Sequence, residues 1–266
     1  MAATLRESFL INGMLTNCEV WYGLTHGEVC QLEEVDRLLW RQVFGVASSC
    51  PVEALYLESG CVPINLVIKS RRINYLQHLV TRNETEMIYK FFLVQWKYPG
   101  RKNEWTDQVK ADLREFGLED ELNLIKTKTK LSFKTLVKKK MREVALAKLI
   151  QKKEKHSKMT NLNYTTLMMQ GYLKEPEVTT RQAKTMFKFR TRMEKFSENF
   201  KGGKATKPCP VCEKSLDTQA HSFQCNVIKE SIKVDGNLED IFSLNNKHLA
   251  KVLENIVNFR ENYMEE

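Results

Sequence analysis

The sequence contains the run Cys209-Pro-Val-Cys-Glu-Lys-Ser-Leu-Asp-Thr-Gln-Ala-His-Ser-Phe-Gln-Cys225. Its four candidate ligands, Cys209, Cys212, His221 and Cys225, follow the spacing Cys-x2-Cys-x8-His-x3-Cys. Three thiolates and one imidazole complete the tetrahedral shell of a closed structural zinc site, with no position left open for water. The first two cysteines share one tight turn, and the last two ligands lie one helical turn apart. The run therefore predicts a structural, non-catalytic zinc.

The rest of the 266-residue chain has the composition of a helical protein. Hydrophobic residues make up 42%, enough for a packed core, and the chain has only eleven Gly and six Pro, which argues against an all-β or low-complexity protein. Long stretches rich in Leu, Lys, Glu and Met favour helix. The predicted fold class is mainly α, with a multi-helix bundle-like domain followed by a small zinc knuckle and a C-terminal helix.

Local signals place several helix boundaries. Residues 4–22 carry an apolar helical pattern, and Thr25 with Glu28 forms a capping box that predicts the start of a second helix. Gly60 suits the end of a short helix. Residues 161–173 are also predicted to be helical.

Charge changes sharply along the chain, whose net charge is +9. Residues 126–158 hold thirteen Lys or Arg against two Glu, and residues 181–207 hold nine against two. Beyond Cys225 the sign reverses, with five basic residues against eight acidic ones. We therefore expect four segments: a helical region at 1–120, a basic helical region at 121–207, the zinc knuckle at 208–226 and an acidic helical tail at 227–266.

The first basic segment contains an amphipathic helix over residues 133–155. Apolar residues recur on one face at three- and four-residue spacing, and most cations fall elsewhere. This pattern is typical of a solvated helix face, and equally of a face that contacts a phosphate backbone. The candidate phosphate contacts are Lys134, Lys138, Lys139 and Arg142.

The second basic segment contains a helix after Thr180 with a more regular pattern. Its apolar stripe is Met186, Phe189, Met193 and Phe196, and the opposite face carries the cations Arg181, Lys184, Lys188, Arg192 and Lys195. Cations on one stripe repel one another unless a polyanion lies nearby, which favours nucleic-acid contact over a merely solubilising surface. Arg190, at the edge of the apolar face, is expected in a buried ion pair.

Two further arginines, Arg71 and Arg72, lie on the apolar side of their helix. A buried arginine requires a partner, so we expect a core salt bridge rather than a direct role in binding a ligand. Glu53 and Glu58 are the candidate partners.

Several classes of protein are not expected. Cys18, Cys30, Cys50 and Cys61 lack ligand spacing and are interpreted as reduced, buried thiols of an intracellular protein. No apolar run approaches the ~20 residues that span a membrane, and no signal-peptide pattern occurs. The sequence has no Asp-Asp pair, Gly-rich phosphate loop or Gly-x-Ser-x-Gly elbow. We therefore expect neither catalytic residues nor a small-molecule substrate.

Five stretches of the chain resemble the C-terminal part of non-LTR (LINE-type) retrotransposon reverse transcriptases. They are the run from Leu5 to Thr25, Leu55-Tyr-Leu-Glu-Ser-Gly60, Arg71-Arg-Ile-Asn-Tyr-Leu76, Phe187-Lys-Phe-Arg-Thr-Arg-Met193 and Asp217-Thr-Gln-Ala-His221 within the zinc run. The resemblance covers most of the chain. It implies that residues 1–120 correspond to the thumb and post-polymerase region, which binds template and primer, and that the zinc knuckle binds nucleic acid.

The same resemblance implies a fragment of an RNA-directed DNA polymerase polyprotein. The fingers and palm, with their catalytic aspartates, would lie upstream, so polymerase activity is not expected. Some relatives carry an endonuclease after the knuckle, whereas only 41 residues follow Cys225 here, so nuclease activity is not expected either.

The sequence therefore predicts a zinc-containing, nucleic-acid-binding protein located in the nucleus. Its expected partners are RNA, DNA or both, and the upstream polymerase core of an intact element. One alternative is a protein–protein interaction module that the zinc only braces. Another is an enzyme that works in trans with a missing polymerase half, which the absent carboxylates disfavour.

Overall fold

The computed structural model describes residues 2–98, 104–118, 122–159, 162–200, 207–232 and 247–265. These residues are mainly α-helical, and their one β feature is an isolated bridge between Pro208 and Leu216. The mainly α fold class predicted from the sequence is therefore confirmed.

The α-helices are named here in chain order. They are α1 (Ala2–Leu5), α2 (Asn12–Met14), α3 (His26–Phe44), α4 (Val52–Ser59), α5 (Ile64–Val80), α6 (Met87–Lys97), α7 (Trp105–Glu115), α8 (Leu122–Thr127), α9 (Lys130–Lys153), α10 (Thr180–Arg190), α11 (Gln219–Gln224), α12 (Asn226–Ile232) and α13 (Lys247–Glu265). A π-helical turn covers Arg6–Ile11, and short 3-10 turns cover Cys18–Val20, Ser157–Met159, Gly171–Leu173 and Ser197–Asn199.

The chain divides into two compact units. The first contains Met1–Leu39 and Cys61–Leu149, and the second contains Trp40–Gly60 and Ile150–Glu266. These two units are defined by packing. The four segments expected from the sequence were defined by charge and motif, and they stay a prediction. Residues 233–246 of the predicted acidic tail lie outside the described residues.

In the first unit, α5 is the central helix. It packs against the 3-10 turn at Cys18–Val20 and against α6, α7 and α8. Ile11, Leu15, Cys18, Ile64 and Ile68 form a buried cluster. These side chains are removed from water almost completely, and burial of each isoleucine or leucine contributes on the order of 1.5–3 kcal/mol.

The N-terminal segment differs from the single helix predicted over residues 4–22. The chain forms α1, a π-helical turn and α2, and it then leaves the helix at Asn17, whose φ is 56°. Just before this point the Thr16 hydroxyl donates to the carbonyl of Asn12 at 2.8 Å, a side-chain bond that favours bending of a helix. The buried Arg6 pairs with Asp36 at 2.5 Å, which ties this segment to α3.

The buried Arg72 and the half-buried Arg71 of α5 have partners within the first unit. Arg72 Nε lies 2.8 Å from Asp112 Oδ2, so the predicted core salt bridge is present. Arg71 instead donates to the backbone carbonyl of Leu15 at 2.8 Å. The predicted partners, Glu53 and Glu58, were wrong. The acid that pairs with Arg72 is Asp112 of α7.

In the second unit, aromatic side chains connect the end of α3 with α10. Phe44 stacks on Phe187 with ring centroids 3.9 Å apart, and both rings are buried. Helix α13 packs along α10 and buries one apolar face, which consists of Leu249, Ala250, Val252, Leu253 and Ile256. The C-terminal helix predicted from the sequence is thus present, as part of this core.

The described part of residues 161–173 is irregular apart from a bend at residues 165–166 and one 3-10 turn, so the predicted helix was wrong there. Two tyrosines explain the difference. Tyr164 donates to Glu58 Oε1 at 2.5 Å, and Tyr172 donates to Glu58 Oε2 at 2.7 Å. The backbone N–H of Gln170 also donates to the Glu58 carbonyl at 3.0 Å. These long-range bonds hold the segment against α4 in place of helical bonds.

Candidate metal centre

A short turn brings the first two cysteines of the zinc run together. The β-bridge between Pro208 and Leu216 closes it, and the Cys209 N–H donates to the carbonyl of Ser215 at 2.7 Å. Within the turn, the Glu213 N–H donates to the Cys209 carbonyl at 2.9 Å, and Glu213 takes the left-handed conformation with φ 56°. The chain reverses between Pro208 and Leu216, and both sulfurs lie on the resulting knuckle.

Helix α11 supplies the other two candidate ligands. Thr218 caps the helix, since its hydroxyl oxygen accepts a hydrogen bond from the His221 N–H at 2.9 Å. The Cys225 N–H donates to the His221 carbonyl at 2.7 Å, which closes the last turn. The two side chains therefore lie on one side of the helix end, as the His-x3-Cys spacing predicts.

The four side chains converge on one point. One ligand atom from each of Cys209, Cys212, His221 and Cys225 lies within 4.8 Å of all the others, and Cys212 Sγ is 3.2 Å from His221 Nε2. Cys209 and Cys225 are buried, and the other two are half-buried. Three sulfurs and one imidazole nitrogen at such separations can hold a metal ion, and this donor set suits a tetrahedral metal such as zinc.

Two cysteines of the cluster, Cys212 and Cys225, differ in acidity. Burial acts to raise the pKa of the Cys212 thiol, but hydrogen bonds from the backbone N–H of Lys214, the His221 ring and the Ser215 N–H lower it to about 6. Burial raises the pKa of the Cys225 thiol. Cys212 is therefore a thiolate at neutral pH, which is the form that binds metals, and metal binding would displace the proton from Cys225.

Polar contacts attach this knuckle to the rest of the second unit. The Asp217 carboxylate accepts from the Ser197 N–H at 2.8 Å and lies 2.8 Å from the Arg260 guanidinium of α13. The Gln219 side chain donates to the Phe189 carbonyl at 3.1 Å and accepts from Asn199 at 2.8 Å. Sequence reasoning missed these residues, because no local signal links a glutamine or an aspartate to partners 20 to 43 residues away.

The predicted phosphate contacts of the first basic segment lie along α9. Lys134, Lys138 and Lys139 are exposed, and Arg142 is half-buried. Lys139 lies 3.9 Å from Glu143, an exposed pair that offers little stabilisation. Helix α9 thus presents its lysines to solvent, as its amphipathic pattern predicts.

The predicted cationic stripe of the second basic segment is not continuous. Helix α10 ends at Arg190, and Arg192 turns away with φ 52°, so Arg192 and Lys195 do not extend the helix. Arg181 donates to Asn258 of α13 at 2.5 Å. Lys184 and Lys188 remain half-exposed on α10. The single five-cation helical stripe expected from the sequence was therefore wrong.

The prediction for Arg190 is confirmed. Its Nε donates to both oxygens of the Glu58 carboxylate at 3.1 Å, and both side chains are at most 5% exposed. The two tyrosine hydroxyls that donate to the same carboxylate complete its hydrogen bonds, which is the condition for burying an ion pair.

No protein-family profile, curated protein or solved structure matches the chain. None of the helices in the described part of the chain combines the length and apolarity needed to cross a membrane. Function is therefore inferred from the residues of the chain itself.

Proposed function

We propose that the Cys209, Cys212, His221 and Cys225 cluster holds a structural zinc ion. The convergence of four soft or borderline ligand atoms within 4.8 Å supports this proposal most directly. Four protein ligands fill a tetrahedral shell, which leaves no position for a reactive water. The ion would brace the knuckle and its helix α11, contributing on the order of 10 kcal/mol to the folding of a segment too short to bury a core.

Metal analysis tests the zinc proposal. The purified protein is expected to contain one zinc per chain, and cobalt(II) substitution should give the intense visible absorption of a tetrahedral thiolate site. Cys212→Ser should abolish the stoichiometric metal, whereas Cys61→Ser, at a half-buried cysteine outside the cluster, should retain it. A wild-type protein without tightly bound zinc, which also fails to take up cobalt(II), would contradict the proposal.

We further propose that the protein binds nucleic acid through its phosphate backbone. The exposed lysines of α9 in the first unit, and the cations of α10 and its following turn in the second, support this assignment. The metal knuckle follows the second set in the sequence and would position one end of the bound strand. Phosphate contacts of this kind give affinity with little sequence selectivity.

Salt titration of binding to a labelled oligonucleotide tests this second proposal. Affinity should fall steeply with salt, and replacing Lys134, Lys138 and Lys139 by alanine should reduce the slope by about one for each phosphate that is no longer neutralised. A second set, with alanine at Lys184, Lys188, Arg192 and Lys195, should weaken binding as well. Lys174→Ala, which removes an exposed lysine outside both sets, is the matched control. Unchanged binding in both sets would favour an interaction module.

We also propose a relationship to the C-terminal part of LINE-type reverse transcriptases, supported by the five sequence stretches quoted above. In this interpretation the chain carries the nucleic-acid grip of such an enzyme without polymerase activity of its own. A primer-extension assay on a primed RNA template should show no nucleotide addition. Extension by the purified chain, lost on treatment with a polymerase inhibitor, would overturn this part of the proposal.

A further inference from the structure

One helix of the first unit exposes an apolar stripe that the proposed function does not use. Met87, Ile88, Phe91 and Val94 of α6 are 68%, 43%, 64% and 57% exposed, and we call them the α6 stripe. Three of them follow i, i+4, i+7 spacing, so they lie on one side of the helix. Only Tyr89 and Phe92 of this helix are buried. A helix that is apolar on nearly all sides is normally covered by protein.

The margins of the α6 stripe carry more basic than acidic groups. Residues 87–97 contain two exposed lysines, Lys90 and Lys97, and no acid, and Glu86, just before the helix, already pairs with Arg82 at 3.6 Å. Lys126 and Lys110 add charge beside the helix, since their ammonium groups lie 3.1 Å from the Tyr89 hydroxyl and 4.9 Å from the centre of the Trp96 ring. The surface that covers the stripe should therefore be apolar with acidic margins.

The same unit contains a surface of that description. An open groove of about 670 Å³ lies beside the first half of α3, and we call it the α3 groove. Its apolar walls are formed by Val20, Trp21, Tyr22, Leu24, Leu32 and Val35. Tyr22 and Val35 are 63% and 44% exposed, so the apolar lining is open to solvent.

The charges at the α3 groove are mainly acidic. Among the described residues that line it, Glu28 is the charged one, and its carboxylate is held in place by the Thr25 N–H at 2.7 Å. Glu19 and Glu34 are the sequence neighbours of the lining residues at 20 and 35, and Arg37 offsets part of this charge, since it lies 3.2 Å from Glu34. An apolar ridge with basic margins therefore fits this groove in both polarity and charge.

We propose that the α6 stripe of one copy of this protein docks in the α3 groove of a second copy. Apolar side chains of the stripe would fill the groove, and the lysine margins of one copy would meet the glutamates of the other. A symmetric contact between two stripes would instead bring four lysines together, which is unfavourable. Because each copy offers one stripe and one groove, the contact is head-to-tail, and it extends or closes into a ring.

Sedimentation velocity on nuclease-treated protein tests the association. The average mass of the wild type should rise above the 31.1 kDa monomer as the concentration increases. Phe91→Glu and Val35→Glu, which place a charge in the stripe and in the groove, should each remain monomeric. Leu131→Glu, at a 76% exposed leucine outside both surfaces, should associate like the wild type. Phe91→Ser and Val35→Ser provide milder variants if either glutamate variant fails to fold by circular dichroism.

Mixing the two monomeric variants gives the decisive result. The Phe91→Glu protein keeps its groove and the Val35→Glu protein keeps its stripe, so an equal mixture should form one dimer of twice 31.1 kDa that cannot extend. Three results would overturn the proposal. The wild type could stay monomeric, the mixture could form no dimer, or nuclease treatment could abolish the association. Association of Val35→Glu alone would indicate a symmetric stripe contact and would overturn it equally.

Discussion

Gly60 occupies a position in the second unit that only glycine can fill without strain. Its φ is 67°, and a Cβ added there would lie 2.0 Å from the Met169 nitrogen. The close approach arises because the Gln170 N–H reaches back to the carbonyl of Glu58, which draws the chain onto the end of α4. Glycine is needed for conformation and for space at once.

Gly60→Ala should therefore destabilise the second unit by at least ~3 kcal/mol, through left-handed strain and a backbone clash together. Gly45→Ala is the matched control, because Gly45 has φ 63° but only the flexible Lys184 side chain at 3.4 Å. The control should lose about 1–2 kcal/mol. Urea unfolding measures the free energy of unfolding of both variants. An equal loss of stability in the two would show that the backbone near Gly60 moves to relieve the clash.

Cys212 should be the most reactive thiol of the metal-free protein. Its pKa is lowered to about 6, whereas burial raises the pKa of Cys50 to about 12. The reactive thiolate of Cys212 is present above its lowered pKa and is lost as the pH falls through about 6. Iodoacetamide labelling read by mass spectrometry should be half-maximal near that pH at Cys212 and absent at Cys50 at neutral pH. Added zinc should protect Cys212, and labelling half-maximal near pH 9 would contradict the assigned environment.

Residue-scale features were predictable where their causes are local. The cysteine and histidine spacing predicted the ligand cluster, and Gly60 was predicted as a helix end from its position. The approach of residues 168–169 to that glycine was not predictable, because it depends on a hydrogen bond across more than 100 residues. The partner of Arg72, Asp112, was missed for the same reason, since 40 residues separate them.

At the scale of elements, some local sequence signals are enough to predict a helix and others are not. The capping box of α3 is present as predicted, with the Thr25 N–H bound by the Glu28 carboxylate at 2.7 Å and the Glu28 N–H bound by the Thr25 hydroxyl at 3.3 Å. Residues 161–173 have an acceptable helical composition but are held by tertiary bonds from their tyrosines. Propensity decides an element only when nothing distant competes with it.

Helix α13 should influence the metal centre although it carries no ligand. Its Arg260 guanidinium lies 2.8 Å from the Asp217 carboxylate and 4.2 Å from the centre of the Phe196 ring, so it holds the segment that enters α11. Arg260→Ala should lower zinc affinity about 10-fold, as removal of outer hydrogen bonds does at other metal sites. Competition against a chromophoric chelator measures this, with Arg260→Lys expected to fall between. Unchanged affinity would mean that the knuckle fixes its ligands without help from α13.

At the scale of the whole molecule, the metal ligands all belong to one of the two units. Their contacts, through Gln219 and Asp217, run to α10 and α13 of that same unit. The core of the first unit is built around α5 and has no residue in the cluster. The two units should therefore respond differently to the loss of the ion.

Removing the metal with a chelator should loosen the second unit and leave the first intact. Hydrogen exchange should show faster exchange at the amide of Cys225 and its neighbours in α11, while the amides of α5 keep their protection. Returning zinc should restore the slow exchange, whereas magnesium, which prefers oxygen ligands, should not. Equal loss of protection in α5 and α11 would show that the two units unfold together.

The carboxylate buried at the end of α4 determines when the second unit can fold during synthesis. Glu58 meets Tyr164, Tyr172 and Arg190, and its pairing arginine lies 132 residues further along the chain. At ~5–20 residues per second, a ribosome needs roughly 7–26 s to make that stretch. Until Arg190 is made, α4 is present without the cation that pairs with its buried acid. The second unit therefore completes its core only late in translation, after every residue of the first unit has been made.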